Sequence, residues 1–327
     1  MSSSALSAAV VVATYNRPDH LTRCLEHLLV QTLDPAELVV VDASPNELTR
    51  EAVASLPGVI YVRNDRGRGH TAWSRHIGMS LTRSEVVAFI DDDAYADQDW
   101  LEQLIRRHGS GIGAVGGRAI NGVPGEESEG VEEIGRLLDN GVLTGNFAAN
   151  PGRDIEVDHL LGANMSVRRS AVDAVGGIHD HFPGTCLREE TDITLRMRRA
   201  GFRIVFTPDA VVHHEPGPYA KGRRFDTRYK YYGARNHAVL LAHSLGLRDR
   251  HTMQNLLTVR SSVVRDVRSA LGTLRSPRRP GERRGRAAAS ALASAAAHTA
   301  GTAVGVAAAL RIAALERRTG RSDLTRS

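Results

Sequence analysis

Short apolar runs recur along the N-terminal part of the chain, and each is followed by a polar loop. The runs cover residues 8–13, 37–41, 58–62 and 86–90, and they are rich in Val and Ile. Between the first two runs, apolar residues recur on one helical face after Pro18, which is well placed to begin a helix: Leu21, Cys24, Leu25, Leu28 and Leu29. This alternation of strand and helix predicts a parallel sheet with helices on its faces.

Strands and helices continue to alternate as far as residue 215. Further predicted elements are a strand over residues 158–169, a helix over 187–199 that ends at Gly201, and short strands over 203–206 and 209–215. We therefore expect one α/β domain over residues 1–215, with a Rossmann-like, mostly parallel sheet flanked by helices.

The remainder of the chain predicts helices. Apolar residues recur at helical spacing at Leu256, Val259, Val263, Val264, Val267 and Leu271. We expect a helical extension over residues 216–275, then a basic linker (276–286) and an Ala-rich helix, which together fill residues 276–327. Residues 287–310 lack Asp, Glu, Lys and Arg, and their length suits a bilayer crossing of about 20 residues. Because Ala, Ser, Thr and Gly dominate, burial in lipid gains little, and we expect a soluble or peripherally docked helix.

Charge is unevenly distributed along the 327 residues, although the net charge is only +5. Residues 216–327 carry 22 Lys and Arg against 6 Asp and Glu, whereas residues 1–215 carry 20 against 31. The basic part suits an anionic surface, either lipid head groups or a phosphate-bearing acceptor. The apolar face of the predicted 256–271 helix most simply packs on the domain or in a homodimer, and contact with a membrane surface is the alternative. Nucleic acid is not expected, because no aromatic-basic interleaving or nucleic-acid module is present.

Cysteine usage and the N-terminus both indicate a cytoplasmic setting. The two cysteines, Cys24 and Cys186, provide neither a disulfide framework nor a Cys-based metal site. Residues 1–7 lack a basic n-region and a long apolar h-region, so they do not predict a signal peptide. We expect a cytoplasmic protein, with peripheral contact at the inner face of the membrane as the alternative.

Two acidic clusters are the candidate chemistry. Asp91, Asp92 and Asp93 directly follow an apolar strand, where the carboxyl edge of a parallel sheet binds ligands and two carboxylates can hold one hard divalent cation. A solvated acidic turn is the competing interpretation. Glu189, Glu190 and Asp192 open the predicted 187–199 helix, where capping by the helix dipole explains acidic residues more readily than catalysis does.

The ordered series of motifs resembles the family 2 nucleotide-sugar glycosyltransferases, which are inverting enzymes with the GT-A fold. Its central stretch is Phe89-Ile-Asp-Asp-Asp93. The other matching stretches are residues 12–18, 39–44, 74–78, 162–169, 189–196 and 200–214. No single motif is decisive, but their order and spacing over roughly residues 8–240 are specific.

The resemblance implies a site for a UDP-, GDP- or dTDP-sugar. Thr14, Asn16 and Asp42 would hold the base, Arg75 would lie near the base or diphosphate, and Gly162 and Asn164 would line the wall between donor sugar and acceptor. The full set implied to bind the nucleotide-sugar is Thr14, Asn16, Arg17, Asp42, Arg75, Asp91, Asp92, Gly162 and Asn164. Asp91, Asp93 and His214 would hold Mg²⁺ or Mn²⁺ against the diphosphate.

The resemblance also implies the catalytic group. Glu190 matches the general base that deprotonates an acceptor hydroxyl, with Glu189 and Asp192 as its neighbours. The acceptor is a glycan, a lipid-linked sugar or a small natural product. His76 and the stretch Asp42-Ala-Ser-Pro depart from the usual family pattern, which leaves the nucleotide open.

Two other functions are compatible with such a fold. A catalytically silent sugar-nucleotide or glycan-binding module would be expected to lose residues such as Asp93 or Glu190, and neither is lost. A nucleotidylyltransferase would be expected to carry a Gly-rich loop with Arg and Lys after the first strand, where this chain has Thr14-Tyr-Asn-Arg-Pro.

Overall fold

A mixed sheet lies at the centre of the protein. The computed structural model describes residues 6–215, 227–275 and 284–319. The strands are β1 (Ala8–Thr14), β2 (Glu37–Asp42), β3 (Val59–Arg63), β4 (Val86–Asp91), β5 (Ala94–Ala96), β6 (Ile112–Ile120), β7 (Ile155–Glu156), β8 (Asn164–Arg168) and β9 (Arg203–His214). They are ordered β3-β2-β1-β4-β8-β6-β9-β5, and β7 also pairs with β9.

The expected parallel arrangement holds for β3-β2-β1-β4 and for the pair β6 and β9. Strand β8 runs antiparallel between β4 and β6 and joins these two parallel parts. Because the register pairs Ala13 with Asp91 and Thr14 with Asp42, the ends of β1, β2 and β4 meet at one edge. The first acidic cluster therefore lies where loops from three strands converge.

Helices cover both faces of the sheet. They are α1 (Pro18–Leu28), α2 (Leu48–Val53), α3 (Thr71–Leu81), α4 (Trp100–Arg106), α5 (Arg169–Ala174) and α6 (Glu189–Arg199), followed by α7 (Thr227–Leu240), α8 (Arg250–Arg275) and α9 (Arg284–Thr319). A 3-10 turn covers Val131–Glu133, and a π-helical turn covers Leu241–Leu245. Alternate residues of a strand enter opposite cores: Val10 and Val12 pack with α1, whereas Val11 packs in the core that contains residues of α3 and α6.

The C-terminal helices form a separate layer around α7. A Cβ added at Gly301 would lie 2.3 Å from the Tyr231 carbonyl oxygen, and one at Gly305 would lie 2.4 Å from that of Arg235. These two glycines, one turn apart, let the backbones of α9 and α7 approach closely. The helix expected over residues 287–310 is thus longer, and residues 284–286 belong to it rather than to the predicted linker. The rest of that linker, and residues 216–226, lie outside the described residues.

One face of α9 is used for this packing, and another is exposed. Residues 292–318 are long and apolar enough to cross a membrane, by length and composition only. Ala309 and Ile312 are buried, whereas Val304 and Leu310 are exposed. In α8, four of the predicted apolar positions are half-buried and two, Val264 and Leu271, are exposed.

Two glycine substitutions test the close packing of α9 on α7. Ala is favoured over Gly by about 1 kcal/mol inside a helix, so Gly233→Ala, where a Cβ meets nothing within 4 Å, should raise the free energy of unfolding. Gly305→Ala should instead lower it by about 1–3 kcal/mol, because the methyl group overpacks the interface. Urea denaturation measures both, and stabilisation by Gly305→Ala would contradict the packing.

Candidate active site

The three adjacent aspartates at the end of β4 face different surroundings. The Asp91 side chain is one-third exposed, at 34%. Asp92 is fully buried and accepts hydrogen bonds from the Thr14 hydroxyl at 2.7 Å and from Arg17 Nε at 3.2 Å. Asp93 accepts a 2.5 Å hydrogen bond from Arg17 Nη1 through its Oδ2. Arg17 therefore joins the last two aspartates and leaves Asp91 to the open side of the site.

The structure brings the three predicted metal ligands together. One ligand atom from each of Asp91, Asp93 and His214 lies within 4.8 Å of the others. Pairing of β5 with β9 places His214 opposite Ala94, and His214 Nε2 lies 3.5 Å from Asp93 Oδ1. Burial alone would raise the pKa of Asp93, but His214 and Arg17 lower it below the usual value, so this carboxylate is ionised. Two carboxylates and an imidazole fit Mn²⁺, and carboxylates with water fit Mg²⁺.

Asp92 and Thr14 form an internal contact, which corrects their predicted role as direct ligands of the nucleotide. Both side chains are buried, and they bond to each other. Burial raises the pKa of Asp92 to about 7 even though Arg17 lowers it. The pair anchors the loop between β1 and α1, so its contribution to the site is the position of Arg17.

The predicted base-binding residues divide in a similar way. Asp42 is fully buried: its Oδ1 accepts the Ser44 backbone N–H at 2.8 Å, and its Oδ2 accepts the Tyr61 hydroxyl at 2.9 Å. Asn16 is exposed and has φ of 55°, and its backbone N–H donates to Ser44 Oγ at 2.7 Å. Asp42 thus fixes the loop after β2 through Ser44 and Tyr61, neither of which the sequence analysis singled out, and Asn16 presents an exposed amide beside Ser44.

Arg75 connects the two acidic clusters. Its side chain is 5% exposed, and its Nη1 lies 2.5 Å from Glu189 Oε1. Its Nη2 donates to the Gly162 carbonyl oxygen at 2.9 Å and lies 3.2 Å from Asp91 Oδ1. A Cβ at Gly162 would lie 2.5 Å from Nη2, so Gly162 makes room for the guanidinium group. One buried cation therefore fixes the distance between the end of β4 and the beginning of α6.

The two glutamates that open α6 differ in access to solvent. Glu189 is buried against Arg75, whereas Glu190 is partly exposed. Burial raises the pKa of both carboxyl groups, and the charge of Arg75 acts against this rise. Arg188, which precedes them, has a left-handed φ of 85°, an unfavourable conformation for a residue other than glycine. Of the predicted catalytic acids, Glu190 is thus the one that is not fully buried.

Two predicted site residues lie elsewhere. Asn164 is buried, and its side chain bonds Trp100 Nε1 at 2.8 Å and the carbonyl oxygens of Arg118 and Ala210 at 2.7 and 2.9 Å, so it has a structural role between strands. Asp192 is fully buried and bonds Arg196 and residues of the C-terminal layer. Its side chain is held by Arg196, Ser244 and His243, and Arg75 is instead held by Glu189, three residues earlier.

Comparison with known proteins identifies the family. The model of the family described as "Glycosyl transferase family 2" matches residues 9–176, just over half of the chain. The chain belongs to the family 2 glycosyltransferases. It is 30% identical over 224 residues to the glucosyl-dolichyl phosphate glucuronosyltransferase of Haloferax volcanii, covering 64% of this chain and 69% of that protein. It is 25% identical over 213 residues to the O-antigen chain rhamnosyltransferase WbaN of Salmonella anatum, covering 64% and 66%.

Solved structures show the same fold. The mannosyltransferase PcManGT from Pyrobaculum calidifontis, in complex with GDP-Man and Mn²⁺, matches with a TM-score of 0.52 and 17% identity, covering 97% of this chain and 88% of that chain. The protein is thus a nucleotide-sugar glycosyltransferase with the GT-A fold, as the motifs predicted.

Removal of the Arg75 charge tests its connecting role. Arg75→Met should lower the free energy of unfolding by about 3–5 kcal/mol, because the buried ion pair is broken and Glu189 must either keep an uncompensated charge or take up a proton. Adding Glu189→Gln should restore part of this loss, since a neutral amide needs no counter-ion. Chemical denaturation of the wild type, both single variants and the double variant measures the coupling, and additive losses would contradict it.

Proposed function

We propose that this glycosyltransferase is metal-dependent and inverting, and that it transfers a sugar to a hydroxyl group of the acceptor. The observation that carries the proposal is the Arg75 contact. It holds Asp91, at the donor edge of the sheet, and the beginning of α6, with Glu190, in one site. Donor activation and acceptor deprotonation then take place on opposite sides of the reacting carbon.

Asp91, Asp93 and His214 are the proposed ligands of the divalent cation. The Asn121 amide oxygen lies 3.2 Å from His214 Nδ1 and orients the ring so that Nε2 faces Asp93. When bound, Mn²⁺ or Mg²⁺ stabilises the negative charge that grows on the leaving diphosphate. The Mn²⁺ in the PcManGT complex supports this assignment.

Glu190 is the proposed general base. Its carboxylate accepts the proton of the acceptor hydroxyl as the oxygen attacks the anomeric carbon, so the configuration inverts. The raised pKa of Glu190, caused by burial, makes it a stronger base than an exposed glutamate. Arg17, 40% exposed beside Asp93, adds a positive charge near the proposed diphosphate position. The proposed donor is a UDP-, GDP- or dTDP-sugar.

Two substitutions separate donor binding from transfer. Asp93→Asn should abolish the rise in melting temperature that a matching nucleotide-sugar produces with Mn²⁺, because a metal ligand is lost. Glu190→Gln should retain that rise but lose transfer by about 10²–10⁴-fold, the usual contribution of a general base. Differential scanning fluorimetry with UDP-, GDP- and dTDP-sugars, with and without Mn²⁺, measures donor binding, and a product assay measures transfer.

The control is Asp97→Asn, because Asp97 is about half-exposed and lies outside the acidic clusters. This variant should match the wild type in both assays. Transfer by Glu190→Gln at the wild-type rate would exclude Glu190 as the base, and a metal-independent donor response would exclude the metal site.

We also propose that the acceptor is lipid-linked and that α8 contacts the membrane from the cytoplasmic side. Met253, Leu257, Val264 and Leu271 are exposed and follow roughly one stripe of the helix. Arg260, Arg265 and Arg268 are also exposed, so α8 combines apolar and basic surface as an interfacial helix does. The name of the Haloferax relative, which includes glucosyl-dolichyl phosphate, supports a lipid-linked acceptor.

Vesicle binding tests the membrane contact. The protein should co-sediment with phosphatidylcholine vesicles that contain phosphatidylglycerol, and Leu257→Ser should weaken binding by about tenfold or more, because burial of a Leu side chain contributes about 1.5–3 kcal/mol. The matched control is Leu48→Ser, since Leu48 in α2 is 53% exposed and Leu257 is 52% exposed. Equal binding by both variants would exclude α8 as the contact.

A further inference from the structure

A second cluster of possible metal ligands lies beside Asp192 of α6. It consists of His179, His181, His243 and Glu316, and one ligand atom from each lies within 4.8 Å of the others. The first two come from the loop between α5 and α6, His243 from the π-helical turn and Glu316 from α9. The cluster therefore joins the catalytic domain to two parts of the C-terminal layer.

The three imidazole rings have the spacing of a tetrahedral metal site. The ring centroids of His179 and His181 are 5.2 Å apart, those of His179 and His243 are 5.3 Å apart, and those of His181 and His243 are 5.2 Å apart. With Zn–N bonds of about 2.0–2.1 Å, imidazole centroids lie about 3.2 Å from the ion and thus about 5.2 Å from one another. Glu316 Oε1, 2.9 Å from His243 Nε2, supplies the fourth donor.

His179 gives independent support for a ligand. It is 5% exposed, and neither ring nitrogen has a hydrogen-bond partner among the described residues. Buried polar groups almost always have a hydrogen-bond partner or a ligand. Two unpartnered nitrogens on one buried ring therefore indicate that a bound ligand is missing.

Asp192 provides the outer support that metal-binding histidines usually have. Its Oδ1 lies 3.4 Å from His243 Nδ1, and its Oδ2 lies 3.7 Å from His179 Nδ1, just beyond hydrogen-bond distance, so Asp192 lies on the Nδ1 side of both rings. Ser244 Oγ donates to Asp192 at 2.7 Å, and Arg196 Nη2 lies 2.7 Å from it. Asp192 thus neutralises the nearest arginine, which would otherwise repel a cation.

We propose that His179, His181, His243 and Glu316 bind one Zn²⁺ ion and that this ion fastens the C-terminal helices to the catalytic domain. Three imidazoles and one carboxylate in tetrahedral spacing suit Zn²⁺, whereas Mg²⁺ requires oxygen ligands in octahedral geometry. An open cleft of about 870 Å³, bordered by His179, His243 and Glu316, provides a path for the ion. This site is separate from the proposed Asp91, Asp93 and His214 site and does not depend on the proposed reaction.

Metal analysis of the purified protein tests the proposal. Protein made without a His-tag and dialysed should retain about one Zn²⁺ per chain, and the double variant His179→Ala/His181→Ala should retain none. Asp93→Asn and His251→Ala should keep the zinc, because neither residue belongs to the cluster. Removal of zinc by a strong chelator should lower the melting temperature of the wild type, and added Zn²⁺ should restore it.

Glu316→Gln is a second test in case the double variant does not fold. Glu316 is 30% exposed, so its replacement leaves no cavity in the core. Loss of an outer partner of a metal site typically weakens metal binding by about 10–100-fold. Because Glu316 is a proposed direct ligand, Glu316→Gln should weaken Zn²⁺ binding by more than this. Co²⁺ in place of zinc should give the intense visible bands of a tetrahedral site. The proposal would be overturned if the wild-type protein retains no zinc and its melting temperature does not respond to Zn²⁺. The cluster would then be only a chain of hydrogen bonds from Asp192 through His243 to Glu316.

Discussion

The buried guanidinium group of Arg75 is the interaction on which the site depends. It contacts Glu189, Asp91 and the Gly162 carbonyl oxygen, so it neutralises acids from two separate parts of the chain at one point. Without a cation there, the buried Glu189 and the one-third exposed Asp91 would repel each other at short distance. The same contact sets the separation between the end of β4 and the beginning of α6, so charge balance and site geometry have one physical origin.

Much of the fold could be predicted from the sequence, because apolar runs and turn residues are local signals. The runs near residues 8–13 and 86–90 became adjacent parallel strands, and parallel strands necessarily bring their ends, and Asp91, to one edge. The ordered motifs also predicted the family, and through the family they predicted that the acidic stretch binds a metal ion. The antiparallel placement of β8 was not predicted, because strand order depends on packing between distant segments.

Side-chain direction was the harder part. Asp92 stands between two aspartates of the motif, yet it points inward to Thr14, and Asp42 turns to Ser44 and Tyr61. Such directions depend on the local pleat and register, which composition does not reveal. The His179, His181, His243 and Glu316 cluster was also missed, since its members lie far apart in the chain. Its only local signal was the His-x-His spacing at residues 179–181.

The site is assembled from two segments that are far apart in the sequence but are brought together in space. Strands β1 to β4, with the exposed Asn16 and the Asp91 edge, come from one continuous segment that ends at residue 91, whereas α6 begins nearly a hundred residues later. The two segments also meet where Arg66 and His70 bond Asp180, in the loop before α6. A segment taken from a relative would therefore have to bring matching partners for Arg75 and Asp180, or the two halves of the site would lose their alignment.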